Sequence, residues 1–448
     1  MILGPATLIT GGLDPQVLPQ GGVRVVGAHV SAIGPWEDVR LAFPDDPQWD
    51  TAHRVLVPGL VDAMVLPHTA LSVGLAGYVG HDAPLAALED ALDADGWAAA
   101  TRAALAAALR QGVTTAFLVC PTHGAGAEGM AAVVAAAQES KIRVCVAGAV
   151  TDRRGEDHAR ESLDEAAALV QRAQKGWGDR LRALFGVATL ADVGESTLAR
   201  IAERARAAGA GVYVHAGFDE RDARDALERH GTTPAGRLLR AGLLDERTMV
   251  GPARGWPEAD AALLAAGGPT WVSTPRADVE VRGATFDYAA LAAQGLVPAV
   301  GSGESACHPR GDVEAIHRAC RQSGLDAPAA ARLAARALFE RGAELAQRHF
   351  VPGLGSLLPG SPADLVVLDA WPASPLGAEN WLDHLVAGLC TARVHSVMVA
   401  GEILLADGRP TLIDEREVQR QARAAVHRLW PRVAARGARS TPSEGTAS

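Results

Sequence analysis

The regular alternation of short apolar strands with amphipathic or Ala-rich helices, from about residue 55 to residue 349, constrains the fold most strongly. Eight segments have the length and apolar composition of buried strands: 55–63, 113–120, 143–150, 182–189, 211–216, 248–252, 270–274 and 297–301. Helical segments lie among and after them, at 96–110, 127–139, 158–174, 195–208, 221–240, 258–266, 312–322 and 328–348. Eight strand–helix units in about 290 residues predict an α/β fold, a TIM (β/α)8 barrel.

The segments that flank the barrel have a different texture, with short β-like pieces punctuated by Gly and Pro. They occupy residues 1–57, before the barrel at 58–349, and residues 350–412 after it. We expect the two flanks to pair as one small β-sandwich domain beside the barrel. A C-terminal helix is predicted at 413–436, and the Ser-, Thr- and Gly-rich residues 437–448 are predicted to be a disordered tail.

Charge and cysteine content exclude several classes of protein. The formal net charge of −10 argues against a nucleic-acid partner, because a nucleic-acid surface needs a basic stripe. The five cysteines are dispersed and contain no C-x-x-C pair, which is typical of a reducing compartment. The sequence has neither a recognisable secretory signal nor an apolar run of membrane-spanning length, so we expect a cytoplasmic protein without a membrane partner.

Four short motifs carry a resemblance to a known family. They are VPGLVD at 57–62, GVTT at 112–115, VTDR at 150–153 and LLPGSPADLVV at 357–367. With the strand order, they make nearly the whole chain resemble the amidohydrolase superfamily, specifically its chlorohydrolase and aminohydrolase branch and the SsnA-type aminohydrolases within it. The last motif is among the most specific, and it marks the return of the chain from the barrel to the flanking β domain.

The resemblance implies a hydrolase that removes ammonia or chloride from N-heterocycles with one divalent metal, zinc or iron. In such enzymes two His of strand one, a His of strand five, often a His of strand six and an Asp of strand eight hold the metal. The metal lowers the pKa of its bound water toward about 7. A Glu three residues after the strand-five His moves protons to the leaving group. Relatives of this kind tend to be homodimers, so a homodimer is expected here.

Most of the implied ligand positions carry other residues in this chain. The strand-one pair falls on Met64 and Leu66, the strand-six His on Pro252, the strand-eight Asp on Gly303, and the proton-transferring Glu on Phe218. His215, on strand five, keeps the residue that the resemblance implies. A catalytic zinc site needs about three protein ligands. We therefore expect no metal cofactor in the standard position.

Polar side chains near the predicted strand ends form the candidate pocket. Besides His215, they are His68, Cys120, His123, Asp152, Asp219, Arg276, Ser302 and Glu304. His68 lies two residues beyond the lost second ligand position, so it could belong to a relocated site. The alternative is that the histidines, including His308, are ordinary loop and core residues. Residues 301–303 (GSG) lack the Lys and the spacing of a phosphate-binding P-loop.

The remaining candidates also have two interpretations each. Cys120 could be a nucleophile beside His123, or a small buried apolar residue. Arg276 could bind a substrate carboxylate through two hydrogen bonds, or serve as a structural salt-bridge partner. Asp152 could line the pocket, or belong to a solvated loop.

Three functional hypotheses follow from these observations. The first is a catalytically degraded amidohydrolase, retained as a binding, scaffolding or regulatory protein for a small heterocyclic ligand and possible as a subunit of an enzyme complex. The second is an active aminohydrolase with a metal site rebuilt around His68, His123, His215 and Glu304. The third is a metal-free enzyme in which His215 acts with Asp219 or Cys120. The first is favoured because five metal-binding or proton-transferring positions are lost together.

Overall fold

The structure is a computed structural model that describes residues 1–74, 82–217, 220–305 and 307–440. Two residues of the sequence analysis, Phe218 and Asp219, and the end of the predicted tail, 441–448, lie outside the described residues.

The N-terminal segment builds one half of a mixed β-sheet. Its elements are β1 (Ile2–Ile9), β2 (Val17–Val26), β3 (His29–Pro35), α1 (Trp36–Ala42), β4 (Gln48–Asp50) and β5 (Val55–Pro58). β1 pairs antiparallel with β2 and parallel with β4 and β5. The sheet buries one apolar face that includes Leu8, Val23 and Leu56, which explains the alternating pattern of these strands.

Eight parallel strands in the described part of the chain form the barrel. They are β6 (Leu60–Val65), β7 (Val113–Cys120), β8 (Arg143–Val150), β9 (Leu181–Val187), β10 (Val212–Ala216), β11 (Thr248–Pro252), β12 (Thr270–Ser273) and β13 (Ala299–Val300), in that spatial order. An isolated parallel bridge between Val65 and Gly303 brings the first and last strands together. The Gly303 N–H also donates to the Met64 carbonyl at 2.9 Å. The predicted TIM barrel is confirmed.

Helices cover the outside of the barrel. They are α2 (Asp82–Ala91), α3 (Ala94–Arg110), α4 (Gly126–Ser140), α5 (Glu156–Gly176), α6 (Glu195–Ala208), α7 (Arg221–His230), α8 (Pro234–Ala241), α9 (Ala259–Gly267), α10 (Pro275–Arg282), α11 (Tyr288–Ala293), α12 (Pro309–Gln322), α13 (Ala327–Ala335) and α14 (Gly342–His349). Short 3-10 turns occur at Pro67–Leu71 and Leu190–Asp192, and a π turn at Arg336–Arg341 joins α13 to α14.

The C-terminal segment completes the terminal sheet. Its elements are β14 (Leu365–Asp369), α15 (Trp381–His384), β15 (Arg393–Val399), β16 (Glu402–Ala406), β17 (Arg409–Pro410) and α16 (Glu415–Ser440), with a π turn at Leu385–Leu389. β14 pairs antiparallel with β5, so both ends of the chain share one continuous sheet. The predicted small β domain is thus confirmed. No helix in the described ranges is long and apolar enough to cross a membrane.

Three predicted segments differ in detail. The first predicted barrel strand, 55–63, is divided at Gly59 between β5 of the sheet and β6 of the barrel. The predicted helix 221–240 is two helices, because Thr233 caps a new helix at Pro234 by accepting a bond from the Gly236 N–H. α16 extends to Ser440, four residues beyond the predicted end of the C-terminal helix at 436.

Candidate functional site

The carboxyl end of β6 is fixed to the residues that follow β13 by a buried carboxylate. Asp62 accepts hydrogen bonds from the Met64 N–H (3.2 Å), the Ser302 N–H (3.0 Å) and the Ser302 Oγ (2.5 Å). The Cys307 Sγ also donates to Asp62, at 3.1 Å. Burial raises the pKa of Asp62, and the bonds from Ser302 oppose that shift. Ser302 is therefore held in a structural cluster at the edge of the barrel mouth.

Four of the positions at which the resemblance implies metal ligands are apolar or sterically constrained. Met64 and Leu66 are buried in the apolar interior of the barrel, and Pro252 is buried at the end of β11. Gly303 has a φ of +57°, and a Cβ at this position would lie 2.7 Å from Cγ2 of Thr274. An aspartate at position 303 would therefore require both a strained backbone and a shift of Thr274.

A buried arginine occupies the mouth of the barrel. Arg254 lies two residues after Pro252, and its Nη1 and Nη2 donate to the two carboxylate oxygens of Glu304, each at 2.9 Å. Its Nε donates to Asp278 at 2.5 Å, and its Nη2 donates to the Thr274 Oγ1 at 2.6 Å. This is the two-pronged geometry in which guanidinium binds carboxylate most strongly.

The pKa values in this cluster follow from burial and from the opposite charges. Burial disfavours the charged form of Arg254, but Glu304 and Asp278 outweigh burial and raise its pKa. Burial also disfavours the charged form of Glu304, but Arg254 outweighs it and lowers the pKa of that carboxyl. Arg254 and Glu304 are therefore an ion pair across the neutral pH range. Arg254 is absent from the sequence-based candidates, although a charged residue directly after a barrel strand is a recognisable signal.

Two histidines share the same region as this ion pair. The His215 Nδ1 lies 2.9 Å from the Ala188 carbonyl oxygen. Burial lowers the pKa of His215, and Glu304 opposes that shift. Burial and the neighbouring His215 lower the pKa of His68 to about 3, while Glu304 again opposes the shift. The structure therefore brings together three of the candidates, His68, His215 and Glu304, with both imidazoles neutral at pH 7.

His68 is also close to a buried acid and an aromatic ring. Its Nε2 lies 3.8 Å from Oε1 of Glu89, and its ring packs edge-on against Trp97 with centroids 5.4 Å apart. Burial raises the pKa of Glu89 to about 8, although Arg153 opposes the shift. Among the described residues, no hydrogen-bond partner contacts either ring nitrogen of His68, Nε2 of His215 or Nε1 of Trp97. Such buried polar atoms ordinarily have a partner.

His123 and Cys120 have surroundings of their own. The His123 ring faces His158, with centroids 6.0 Å apart, and its carbonyl accepts from Nη1 of Arg154 at 2.5 Å. Burial, together with the nearby Arg153, His158 and Arg154, lowers the pKa of His123 to about 3. Cys120 is buried at the end of β7, and burial raises the pKa of its thiol well above the usual range. A thiol held neutral in this way is a poor nucleophile.

Asp152 and Arg276 make structural contacts. Asp152 accepts from the Gly194 N–H at 2.7 Å and from the Thr197 Oγ1 at 2.9 Å, at the start of α6. Arg276 lies on α10 with its Nε 3.4 Å from Oδ1 of Asp312 on α12. Both side chains therefore join elements around the barrel.

The donor set of the described residues does not fit a catalytic divalent metal. Within those ranges, no group of three or more His, Cys, Asp or Glu side chains is placed to hold a metal ion. His215 stands without the neighbouring imidazoles that the resemblance implies, and Arg254 engages Glu304 through both oxygens. A bound guanidinium places a positive charge where a metal would have to approach this carboxylate.

Comparison with known proteins agrees with this architecture. The model of the amidohydrolase family matches residues 55–331, which is more than half of the chain. The chain belongs to the amidohydrolase family. The resemblance noted in the sequence is thereby confirmed, and this amidohydrolase-family protein differs from the expected ligand pattern at the positions described above.

Relatives of similar length carry the names of nucleoside deaminases. One is a 5-methylthioadenosine/S-adenosylhomocysteine deaminase of Pelotomaculum thermopropionicum, 23% identical over 96% of this chain and 98% of the relative. Another is a 5'-deoxyadenosine deaminase of Methanothermobacter thermautotrophicus, 24% identical over 94% of this chain and 98% of the relative.

Solved structures share the fold over nearly the whole chain. An adenosine deaminase from Xanthomonas campestris with bound zinc gives a TM-score of 0.81 at 21% identity, covering 96% of this chain and 98% of that one. An atrazine chlorohydrolase from Arthrobacter aurescens, complexed with zinc, gives a TM-score of 0.79 at 18% identity, covering 95% and 99%.

Proposed function

We propose that this amidohydrolase-family protein binds a small neutral N-heterocycle at the barrel mouth and has lost metal-dependent hydrolysis, so that its role is binding, scaffolding or regulation. The observation that carries the proposal is the ion pair of Arg254 with Glu304. Both oxygens of the Glu304 carboxylate bind the guanidinium of Arg254. Met64 and Leu66, at the two implied ligand positions at the end of strand β6, supply no metal-binding atoms of the kind that zinc or iron requires.

The chemistry around His68 supports a neutral ligand. Both imidazoles are uncharged at pH 7, and Glu89, with a pKa of about 8, is largely protonated there. Neutral imidazoles and a protonated carboxyl can each donate and accept hydrogen bonds. The ring nitrogens that have no partner among the described residues suit the alternating donors and acceptors of an adenine edge. The names of the relatives point to the same class, adenosine derivatives.

Calorimetric titration with 5'-methylthioadenosine and 5'-deoxyadenosine tests the proposal. We expect saturable binding of at least one of them, with the nucleoside recovered unchanged and no ammonia released. His215→Ala should weaken binding by about tenfold, because it removes a buried hydrogen-bonding group. His427→Ala is the matched control, since His427 is exposed on α16, and it should bind as the wild type does. Stoichiometric ammonia release would overturn the proposal.

An active deaminase is the second candidate. It is supported by the electrostatic coupling of His68, His215 and Glu304 and by the deaminase names of the relatives. The coupled groups suit acid–base chemistry. It predicts ammonia release that both His68→Ala and His215→Ala abolish, together with loss of any bound metal if the site is metal-dependent. Retention of ammonia release in both variants would exclude it.

A further inference from the structure

A cavity lined by basic side chains lies between the end of α3, the start of α12 and strand β15. Its volume is about 340 Å³, far above the roughly 10–15 Å³ that one water needs. The described residues that line it are Arg110, Gln111, His308, Arg310, Thr391, Ala392, Arg393, Val394, Leu405 and Gly408. They include three arginines and a histidine and no carboxylate, in a chain whose net charge is −10.

Arg310 is the most deeply buried arginine of this cavity. The residue is 4% exposed, and its Nη1 donates to the carbonyls of Leu389 (2.8 Å) and Ala392 (2.6 Å). Its Nε has no hydrogen-bond partner among the described residues, and no carboxylate of those residues pairs with this guanidinium. Burial lowers the pKa of Arg310. A buried charge without a counter-ion is costly, so an anion at this place would offset the cost.

Two further features add positive potential, and His308 adds a neutral hydrogen-bonding group, because burial lowers the pKa of its imidazole to about 4. His308 is the N-cap residue of α12, and its Nδ1 is buried without a described partner. α12 spans 14 residues, so its N-terminus carries the partial positive charge of a helix end beside Arg310. Arg393 is largely exposed at the rim, where its Nη2 donates to the Asp407 carbonyl at 3.1 Å and its Nε lies 3.9 Å from Oδ2 of the partly exposed Asp369. Arg110 is already paired with Glu415 and contributes less net charge.

We propose that this cavity is a phosphate site, which takes inorganic phosphate or the phosphoryl group of a phosphomonoester. Arg310, with its Nε unpaired among the described residues, and Arg393 line one space beside the positive end of α12, and guanidinium donors of this kind suit a tetrahedral dianion. The site is independent of the proposed heterocycle site, because its lining residues are different ones.

Titration of the full chain with inorganic phosphate, against sodium chloride of equal ionic strength, tests the proposal. We expect saturable binding at millimolar or lower phosphate and a matching rise in melting temperature. Arg393→Gln should raise the Kd for phosphate about three- to tenfold, because it removes one charge from an exposed rim. Arg310→Met should abolish saturable binding. Adenosine monophosphate as a second titrant, competing with phosphate, separates a phosphomonoester from the free anion.

Arg160→Gln on α5 is the matched control, because it removes the same charge from an exposed arginine elsewhere. It should leave the Kd for phosphate unchanged. Arg310→Met changes a buried residue and can prevent folding for that reason alone. In that case the proposal is judged by the result with Arg393→Gln. Equal stabilisation by phosphate and chloride, or equal weakening by Arg160→Gln and Arg393→Gln, would overturn the proposal.

Discussion

Arg254 and Glu304 form a buried ion pair in which two guanidinium nitrogens each donate to a separate carboxylate oxygen at 2.9 Å. The pair joins the loop after β11 to the segment after β13, and Asp278 binds the same guanidinium from α10. Three segments of the barrel mouth are thus tied together by one side chain. A charge network of this kind stabilises the fold only while all its members are present.

Removal of the Arg254 guanidinium is therefore expected to destabilise the fold. Arg254→Met would leave Glu304 and Asp278 buried without their cation, and the free energy of unfolding should fall by about 3–5 kcal/mol. Urea denaturation at pH 7 measures this change. Arg204→Met on α6 is the control, because its ion pair with Asp164 is exposed and is worth about 1 kcal/mol or less. Equal effects of the two substitutions would contradict the role given to Arg254.

The pKa of Glu89 predicts a loss of stability as pH rises. Its folded-state pKa is about 8, above the usual 4.5, because of burial, with Asp90 and Asp192 adding to the rise and Arg153 opposing it. Between pH 4.5 and pH 8 the folded chain keeps a proton on Glu89 that the unfolded chain has lost. The contribution of Glu89 to the free energy of unfolding therefore falls from about pH 4.5 to pH 8 and is constant above that pH.

Glu89→Gln removes that dependence. The variant should gain stability over the wild type at pH 8, on the order of 2 kcal/mol, and show little difference below pH 5. Melting temperatures across this pH range, with Glu203→Gln on the exposed face of α6 as control, measure the effect. A constant difference between Glu89→Gln and the wild type at all pH values would show that Glu89 does not titrate in this way.

Gly303 is predicted to resist substitution more than an ordinary glycine with positive φ. Gly303→Ala forces a Cβ to 2.7 Å from the Thr274 side chain, whereas a Cβ at Gly268 (φ +78°) meets no described atom within 4 Å. Gly268→Ala should cost about 1 kcal/mol from backbone strain alone, and Gly303→Ala about 2–3 kcal/mol. Chemical denaturation of both variants gives the difference. Equal costs would mean that Thr274 moves freely, and that an aspartate could be restored at position 303.

The contact between the barrel and the terminal sheet depends on another buried ion pair. Arg143 on β8 donates to Asp364 through Nε (2.8 Å) and Nη2 (3.1 Å), and both side chains are almost fully buried. Asp364→Asn should lower the free energy of unfolding by about 2–3 kcal/mol, because the buried Arg143 would keep only the half-exposed carboxylate of Asp179, at 3.2 Å, as a charged partner. Glu139→Gln, which weakens the exposed pair with Arg102, serves as control and should cost less than about 1 kcal/mol.

Much of the fold could be predicted from the sequence, because strand and helix periodicities are local properties. The division at Gly59 coincides with the dipeptide Pro58-Gly59, which interrupts strands. The buried Asp364 lies in the motif at 357–367 that marks the return of the chain to the terminal sheet. Thr233 and Pro234 are typical of a helix start and indicate the break inside the predicted helix 221–240, which the prediction did not include. Local sequence signals therefore determined these elements.

The candidate site was less predictable, because it depends on contacts between segments far apart in the chain. Arg254 binds Glu304 across 50 residues, and no spacing rule connects them. Asp62 accepts from the Met64 N–H two residues further on, but it also accepts from the Oγ of the distant Ser302. Arg276, for which two roles were considered, lies beside Asp312. Such pairings become visible only when the barrel brings strand ends together.

We propose that Arg254, and not a metal ion, supplies the positive charge at Glu304. Elemental analysis of untagged protein, purified without chelator and assayed for ammonia release from 5'-methylthioadenosine, tests this claim most directly. The account predicts zinc, iron, manganese and nickel far below one equivalent per chain and no ammonia release. A metal content close to one equivalent together with hydrolytic turnover would contradict it.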